Sequence, residues 1–200
     1  MSTLNLVPAS YADYRREAER RLPTQLFHYV DGGAYAEHTL GRNVEDFEKL
    51  QLKQRVMHDV SRVDPSDSIF GYEMTIPAAL APIGLGGMMA RRGEVQAKRA
   101  ADAFGIPFTL STVSICSLEE VAAVSDKPFW FQLYMLKDRG AVTHILDRAK
   151  ASGVRTLIFT VDLPVLGARY RDVRNGMGGG TTVWGRLRSG TLDYLAHPRW

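Results

Sequence analysis

Cysteine is nearly absent from this sequence, with Cys116 as the one thiol among 200 residues. A single cysteine cannot form an intramolecular disulfide, and it cannot build a cluster of cysteine ligands for zinc or iron. Such sparing use of cysteine is typical of a reducing compartment. We therefore expect a cytoplasmic protein without a metal centre, in which Cys116 packs as a small apolar side chain.

Long apolar runs are absent as well. The longest uncharged stretch, residues 74–90, is shorter than the roughly 20 residues that cross a bilayer, and Pro77, Pro82 and several glycines interrupt it. The N-terminal residues have no apolar core behind a basic start, so they do not resemble a secretory signal. Any membrane association is therefore expected to be peripheral.

Charge of one sign is not in large excess. The 25 basic residues are nearly balanced by 22 acidic ones, which leaves a formal net charge of +3. This surplus is too small to predict a nucleic-acid partner. With 45% hydrophobic and 24% charged residues, the composition is that of an ordinary globular protein, so we expect the chain to fold.

The first 75 residues are predicted to be largely helical. Three helices are predicted, at residues 10–21, 23–29 and 37–50. In the third, Leu40, Val44 and Phe47 fall on one face. Residues 56–73 mix Asp, Ser and Pro with isolated apolar residues, which predicts irregular structure ending in a turn at Gly71-Tyr72. We expect residues 1–75 to form a helical cap.

A regular alternation of strands and helices begins at residue 76. Short apolar runs flanked by turn residues predict four buried strands, at residues 76–81, 107–110, 129–133 and 156–161. Amphipathic helices separate them, at residues 93–104, from Ser117 onward, and at 139–152. This α/β alternation predicts parallel βαβ units, in either an open doubly wound sheet or a (β/α)8 barrel. Because a barrel needs about 250 residues, residues 76–166 would supply its first four βα units.

Polar side chains follow the predicted strands at their carboxyl ends, where parallel α/β folds carry their chemistry. They are Ser111 and Thr112 after the second strand, Gln132 and Tyr134 at the third, and Thr160 and Asp162 at the fourth. Because side chains alternate along a strand, the two members of each later pair point the same way. Hydroxyls, an amide and a carboxylate together suit a planar heterocycle such as a flavin or a nucleobase. The alternative is that Ser111 and Thr160 only cap the turns that follow them.

The first predicted strand leads into a glycine-rich segment at residues 84–89. Its spacing imitates the start of a dinucleotide-binding fingerprint, but Met89 occupies the position of the third glycine. A Rossmann NAD site is therefore not expected. The glycines instead let the backbone approach a ligand closely, or make a tight turn into the next element.

With these residues assembled, the sequence resembles the family of FMN-dependent α-hydroxy acid dehydrogenases and oxidases, and most closely its bacterial L-lactate dehydrogenase branch. The segments that carry the resemblance are FHYVDGGAYAEHTLGRNVEDF from Phe27, ALAPIGLGGMMARRGEVQAKRAADAFGIPFTLSTVS from Ala79, FWFQLYMLKDRG from Phe129 and FTVDLPVLGARYRD from Phe159. The family is a (β/α)8 TIM barrel that holds FMN at its mouth. The resemblance thus implies FMN as cofactor, with the N-terminal cap and about four βα units present.

The resemblance also implies which residues contact the flavin. The hydrogen bonds to the edge of the isoalloxazine ring would come from Ser111, Gln132 and Thr160. The backbone of Pro82, Ile83 and Gly84 would contact the flavin as well.

Other positions match the substrate-binding and catalytic residues of the family. Tyr29, Tyr134 and Arg169 would bind the carboxylate and hydroxyl of the substrate, since guanidinium and phenol groups both donate hydrogen bonds to an anion. Tyr134 would also take part in catalysis. Asp162 matches the carboxylate that orients the catalytic histidine of the family. The alternative for Tyr29 is a packed aromatic residue, and for Arg169 a solvated charge.

The resemblance implies oxidation of an L-2-hydroxy acid, most closely L-lactate to pyruvate, with electrons passed to a quinone or another membrane electron acceptor of a respiratory chain. The histidine base of the family, its second arginine and the lysine beside the flavin lie in motifs that these 200 residues lack. We therefore expect the chain alone to be inactive, as a truncated or split product that needs a complementary C-terminal half. The intact enzyme is expected to be a homo-oligomer. Alternatives are a non-catalytic half-barrel, or a related (S)-mandelate dehydrogenase or glycolate oxidase.

Residues 167–200 carry the basic surplus together with aromatic side chains. The arginines are Arg169, Arg171, Arg174, Arg186, Arg188 and Arg199, and the aromatic residues are Tyr170, Trp184, Tyr194 and Trp200. By resemblance, this segment begins the insert with which the dehydrogenase branch docks on the inner face of the cytoplasmic membrane. The alternative is a flexible glycine-rich loop around residues 178–180.

Overall fold

A computed structural model of the chain describes residues 7–163, 165, 167–177, 191–198 and 200. In chain order its elements are α1 (Tyr11–Arg21), α2 (Thr24–Asp31), α3 (His38–Glu48), β1 (Asp67–Ile69), β2 (Tyr72–Met74), α4 (Gly86–Met89), α5 (Gly93–Phe104), β3 (Thr109–Ser111), α6 (Leu118–Ala122), β4 (Trp130–Tyr134), α7 (Arg139–Ala151), β5 (Thr156–Thr160), α8 (Tyr170–Arg174) and α9 (Asp193–Ala196). These elements belong to two compact units. Residues 1–54 and 165–200 form the first, and residues 55–164 form the second.

The first unit is helical, and ion pairs join its helices. Asp31, the last residue of α2, accepts hydrogen bonds from Arg15 of α1 at 2.5 and 2.8 Å and from Arg171 of α8 at 2.7 Å. The other end of the Arg171 guanidinium donates to Glu37 at 2.6 Å. Because the two Arg171 contacts join residues more than 100 positions apart, they fix the segment around α8 against the N-terminal helices of the same unit.

The helix predicted over residues 37–50 is present as α3, and its apolar face is uncovered. Leu40, Val44 and Phe47 all remain exposed. The apolar core of this unit instead includes Leu26 and Phe27 of α2, which are buried. Spacing alone placed the three α3 residues on one face, but it does not determine whether another element packs there.

The second unit begins with a short antiparallel hairpin in the stretch that was predicted to be irregular. Strands β1 and β2 pair from Asp67 with Met74 to Ile69 with Tyr72. The turn is centred on Phe70 and Gly71, with φ of +52° and +74°, so the predicted turn at Gly71-Tyr72 is one residue too late. A two-residue hairpin turn of this type needs positive φ at both central positions, which Gly71 adopts without strain.

A parallel sheet with the order β3-β4-β5 forms the centre of the second unit. The prediction of an α/β fold with parallel βαβ units is therefore confirmed, although the described residues do not close a barrel. The predicted first strand, residues 76–81, is wrong as a full strand. Only Leu80 pairs there, through a single bridge to Phe108. Proline at both 77 and 82 removes backbone donors and restricts the backbone, which limits pairing to the residues between them.

The three helices predicted in the second unit are present as α5, α6 and α7, and the predicted signals are at their ends. Helix α4 was not predicted. Glu120 N donates to Ser117 Oγ at 3.1 Å and Ser117 N donates to the Glu120 carboxylate at 2.8 Å, which is a capping box at the start of α6. Helix α5 ends at Gly105, whose φ is +79°. The helices cover a buried core that includes Leu110, Val121, Phe129 and residues around them. Full burial of such side chains contributes about 1.5–3 kcal/mol each.

None of the helices in the described part of the chain is both long and apolar enough to cross a bilayer. The prediction for residues 167–200 lies partly outside the described residues, because it includes Trp184, Arg186, Arg188 and Arg199. It therefore stays a prediction.

Candidate functional site

Three polar side chains at the carboxyl ends of the parallel strands form one hydrogen-bonded chain. Ser111 Oγ donates to Gln132 Oε1 at 3.1 Å, and Gln132 Nε2 donates to Thr160 Oγ1 at 2.8 Å. Ser111 and Gln132 are only 4% and 2% exposed. In the sheet register, Ser111 lies beside Gln132, while Thr160 lies beside Tyr134. The glutamine side chain therefore reaches obliquely toward the end of the neighbouring strand.

Backbone donors fix the orientation of the Gln132 amide. Its Oε1 also accepts from Thr112 N at 3.3 Å, and Ser111 Oγ accepts from Val113 N at 3.3 Å. Because two donors engage Oε1, the NH2 group of the amide must face Thr160. The Thr160 oxygen accepts that bond, so the Thr160 hydroxyl proton can be donated to a ligand.

Thr112, which the sequence placed among the polar residues at the strand ends but not among the expected flavin contacts, supports the same strand ends. Its Oγ1 donates to the Gln132 carbonyl at 2.5 Å and accepts from Tyr134 N at 3.1 Å. The Thr112 hydroxyl thus replaces a backbone partner where β3 ends one residue earlier. A hydroxyl directly after Ser111 at a strand end was the signal available in the sequence.

The segment Pro82–Gly84 lies before α4, and its neighbour Leu85 donates through the backbone to Val113 O at 3.0 Å. Pro82 and Gly84 are half-buried, whereas Ile83 is exposed. The loop that was expected to contact a ligand is therefore bonded directly to the segment that follows Ser111.

Tyr134 lies at the end of a strand, whereas Asp162 lies outside the sheet. Tyr134 is half-buried as the last residue of β4. Strand β5 ends at Thr160 and not at Val161, so Asp162 lies in an irregular segment and the alternation argument does not extend to it. Asp162 is exposed and forms no hydrogen bond or ion pair with the residues that the structure describes.

Tyr29 and Arg169 meet within the first unit. Arg169 Nη2 donates to the Tyr29 carbonyl, and the guanidinium carbon lies 5.3 Å from the centroid of the Tyr29 ring. Arg169 Nε donates to Asp172 Oδ2 at 2.5 Å. The other Asp172 oxygen is buried without a partner among the described residues. Sequence reasoning missed Asp172, because an aspartate in a charged helix usually faces solvent.

Comparison with known proteins identifies the class to which this α/β fold and its polar strand ends belong. Residues 18–200 match the model of the FMN-dependent dehydrogenase family. The chain belongs to this family, as the sequence motifs predicted.

Several L-lactate dehydrogenases are similar to the chain in sequence. That of Alcaligenes faecalis is 56% identical over 195 residues, which cover 98% of this chain and 50% of the relative. That of Ectopseudomonas mendocina (strain ymp) is 57% identical with the same coverage. The chain thus spans about half the length of the curated relatives it matches.

Solved structures of related enzymes also match this chain over about half of their own length. A structure described as the monotopic membrane protein (S)-mandelate dehydrogenase has a TM-score of 0.85 and 34% identity, and the match covers 94% of this chain and 50% of the other. A mandelate oxidase has a TM-score of 0.81 and 36% identity, with 89% and 51% covered. The prediction of a family whose cofactor is FMN is confirmed.

The donor set at the strand ends fits the edge of a flavin. That edge alternates hydrogen-bond donors and acceptors in one plane, and two hydroxyls and an oriented amide can serve both kinds. The three side chains lie at one end of one sheet, and their mutual bonds fix them before a ligand binds. Among the described residues, no three His, Cys, Asp or Glu side chains are grouped so as to hold a metal ion.

Proposed function

We propose that this chain provides the flavin-binding strand ends and part of the substrate site of an enzyme that oxidises L-lactate to pyruvate. The observation that carries the proposal is the bonded chain Ser111–Gln132–Thr160, in a sequence 56% to 57% identical to L-lactate dehydrogenases. Bound FMN would supply the two-electron acceptor for the hydrogen that leaves the 2-carbon.

The proposed work of the strand ends is to hold the flavin ring in one orientation. Gln132 has its amide fixed by two donors, so a ligand meets a preformed pattern. Thr160 would donate its hydroxyl proton to a ring acceptor, and the backbone of residues 82–84 would contact the ring as well. Because Ser111 and Gln132 are buried, their polar contacts act in a medium of low dielectric, where such contacts are stronger.

The proposed substrate groups are Arg169, Tyr29 and Tyr134. Arg169 uses its Nε–H on Asp172 and one Nη2–H on Tyr29, which leaves further N–H groups to bind a carboxylate. The Tyr134 phenol would donate to the substrate during oxidation. Asp162 would orient the base that takes the hydroxyl proton, and that base is expected to be a histidine outside the present sequence.

Substrate size distinguishes lactate from the alternatives. Mandelate carries a ring where lactate carries a methyl group, and glycolate carries only hydrogen, so pocket side chains decide among them. Val113, partly exposed two residues beyond Ser111, is proposed to be one such side chain. The likeness to an (S)-mandelate dehydrogenase keeps that substrate as the second candidate. Steady-state dye reduction by the holoenzyme with L-lactate, (S)-mandelate and glycolate tests the assignment, and kcat/KM should be highest for L-lactate.

We also propose that electrons leave to a quinone from a homo-oligomer attached peripherally to a membrane. The support is the similarity to a monotopic membrane protein. Three arginines of the basic segment do not support membrane binding, because they already have partners within the chain. Arg169 and Arg171 are ion-paired, and Arg174 lies over the Tyr170 ring. Rates of reduction of a short-chain quinone and of oxygen, compared in one assay, test the acceptor.

The 200 residues alone are proposed to lack turnover. With FMN and L-lactate added, the isolated chain should reduce no dye, and co-expression with a complementary C-terminal half should restore activity. Turnover by the isolated chain would contradict this part of the proposal and leave the substrate assignment in place.

A further inference from the structure

Helix α5 carries two buried charged side chains one turn apart. Glu94 is 4% exposed and Lys98 is completely buried. Lys98 is paired conventionally, with the Asp102 carboxylate and with Ser125 Oγ at 3.0 Å. Glu94 forms no ion pair among the described residues, so a different set of contacts must account for its burial.

Glu94 bonds instead to the backbone of two loops. We call residues 82–88, which include the first three residues of the short helix α4, the first loop, and residues 112–116 the second loop. Glu94 Oε1 accepts from Gly87 N of the first loop at 2.8 Å and from Ile115 N of the second loop at 2.9 Å. A direct bond from Leu85 N to Val113 O, at 3.0 Å, is a second connection between the loops. A single carboxylate oxygen, Glu94 Oε1, therefore joins the first loop, which contains the proposed flavin contacts at residues 82–84, to the second loop, which follows Ser111.

The glycines of the first loop make room for this carboxylate. A Cβ atom on Gly87 would lie 2.7 Å from Ile115 Cβ and 2.9 Å from Glu94 Oε2, and one on Gly86 would lie 3.2 Å from Glu94 Cδ. Contacts under 3 Å force atoms apart, so Gly87 is required for the present approach of the two loops. The glycine-rich segment was expected to let the backbone approach a ligand closely. At Gly87, the backbone instead approaches Glu94 and Ile115.

The Glu94 carboxylate is held as an anion. Burial raises its pKa, but hydrogen bonds from the backbone N–H groups of Ile115 and Gly87 and from the Cys116 thiol outweigh this effect, so the pKa of Glu94 is lowered. Its Oε2 is buried with no hydrogen-bond partner among the described residues. The Cys116 thiol lies beside it, and the pKa of that thiol is raised by burial and by the Glu94 carboxylate. A buried carboxylate oxygen without a full set of hydrogen bonds is costly, so the contacts at Oε1 must offset that cost.

We propose that Glu94 is a positioning residue of the flavin site, which holds the first loop against the second so that residues 82–84 and Ser111 present a single preformed surface to FMN. Glu94 contributes an acceptor at Oε1 and does not itself touch the flavin. This role rests on the proposed function of the strand ends.

The test compares FMN affinity of four forms of the protein expressed from its complete gene, each stripped of flavin and titrated by quenching of flavin fluorescence. E94L removes the acceptor. E94Q keeps an oxygen at Oε1 and serves as the conservative rescue. K98M, on the same helix, also exchanges a buried charge for an apolar group but lies away from both loops. Thermal unfolding of the flavin-free proteins measures the loss of stability in each.

The expected result is that E94L weakens FMN binding at least about tenfold, while E94Q and K98M stay within about threefold of wild type. If E94L binds FMN within about threefold of the wild-type affinity, the positioning role of Glu94 is overturned. The role is also overturned if K98M, at a stability equal to that of E94L, loses as much FMN affinity as E94L does. If E94L gives no folded protein, G87A decides by the same titration, because its methyl group forces the loops apart and must weaken FMN binding. If the wild-type protein bound no FMN, the proposed function would be overturned as well. If the wild type bound FMN and the variants bound it equally well, only the role of Glu94 would be overturned.

Discussion

Gln132 Nε2 lies 2.8 Å from Thr160 Oγ1, so a side chain joins the middle strand of the parallel sheet to its edge strand. Ser111 completes the chain from the other neighbouring strand. The three groups are polar, they occupy one end of the sheet, and two of them are almost fully buried. This arrangement supports the proposal that the strand ends form a preformed flavin-binding edge.

Thr160 and Thr156 lie at opposite ends of β5 and are both half-buried, which provides a matched pair of variants. T160V removes the hydroxyl at the carboxyl end, so Gln132 loses an acceptor and the flavin loses a donor. We expect T160V to weaken FMN binding about tenfold, and T156V to leave it within about threefold. Fluorescence titration of the flavin-free proteins with FMN measures both affinities. Equal affinities for the two variants would contradict the assignment of the strand ends.

Asp172 is expected to hold Arg169 ready for a substrate carboxylate. R169M removes the cation and should raise the KM for L-lactate by about 10- to 100-fold, since charged hydrogen bonds contribute about 1.5–3 kcal/mol. D172N keeps the cation but weakens its Nε contact, and should raise KM about tenfold with kcat changed less than about threefold. D46N, which breaks an exposed ion pair with Lys49 on α3, is the control. A D172N enzyme with the wild-type KM would refute this role.

Tyr134 is expected to act on the reacting hydroxyl more than on binding. Y134F removes only the phenolic oxygen from a half-buried ring at the end of β4. Turnover should fall by about 10- to 100-fold, while KM changes less than about threefold. Steady-state kinetics with L-lactate give both constants. A rise in KM at constant kcat would show that Tyr134 serves binding alone.

The helical unit should lose stability in acid through Asp31. Hydrogen bonds from Arg15 and then Arg171 hold the pKa of Asp31 below its usual value of 3.8. A carboxyl group whose pKa is lower in the folded state stabilises the fold above its unfolded pKa, and this stability is lost as the pH falls through the folded pKa. D31N should therefore lower the free energy of unfolding by about 1–2 kcal/mol near neutral pH.

The difference between wild type and D31N should shrink as the pH falls below about 4. Urea unfolding followed by helical circular dichroism at several pH values measures it. A difference that stays constant down to about pH 2 would mean that the two ion pairs of Asp31 do not stabilise the unit.

Strand β5 has no partner on its outer side among the described residues, and Leu157 and Phe159 on it are exposed. An exposed apolar edge favours pairing between chains. We expect the 200-residue chain to self-associate with rising concentration, and L157K to reduce this association. L146K, which places the same charge on the surface of α7, should not. Light scattering coupled to gel filtration would contradict the expectation if wild type and L157K gave the same mass.

Apolar runs predicted the parallel strands to within about two residues, because buried strands are recognisable by their length and their flanking turns. The predicted strand 129–133 is observed as Trp130–Tyr134, and 156–161 as Thr156–Thr160. The prediction at residues 76–81 was wrong because an apolar run between two prolines can pair at only a few positions. The hairpin of β1 and β2 was missed because β1 is exposed along its whole length, so it has no apolar alternation.

The site was only partly predictable for a similar reason. Ser111, Gln132 and Thr160 could be selected because they follow apolar runs, but the oblique bond from Gln132 to Thr160 depends on register and side-chain length. Glu94 and Asp172 were missed, since charged residues in amphipathic helices are usually exposed. Both side chains are shielded by segments that are distant in the sequence or by loops that pack closely against them. Local sequence patterns do not predict such contacts.

These strand ends are proposed to belong to an enzyme that moves electrons from L-lactate to FMN. The most direct test mixes the FMN-loaded holoenzyme with L-lactate in the absence of oxygen and follows the visible absorption of the flavin. We expect rapid bleaching by L-lactate with one pyruvate formed per flavin, no bleaching by D-lactate, and much slower bleaching in R169M. A flavin that stays oxidised in the presence of saturating L-lactate would contradict it.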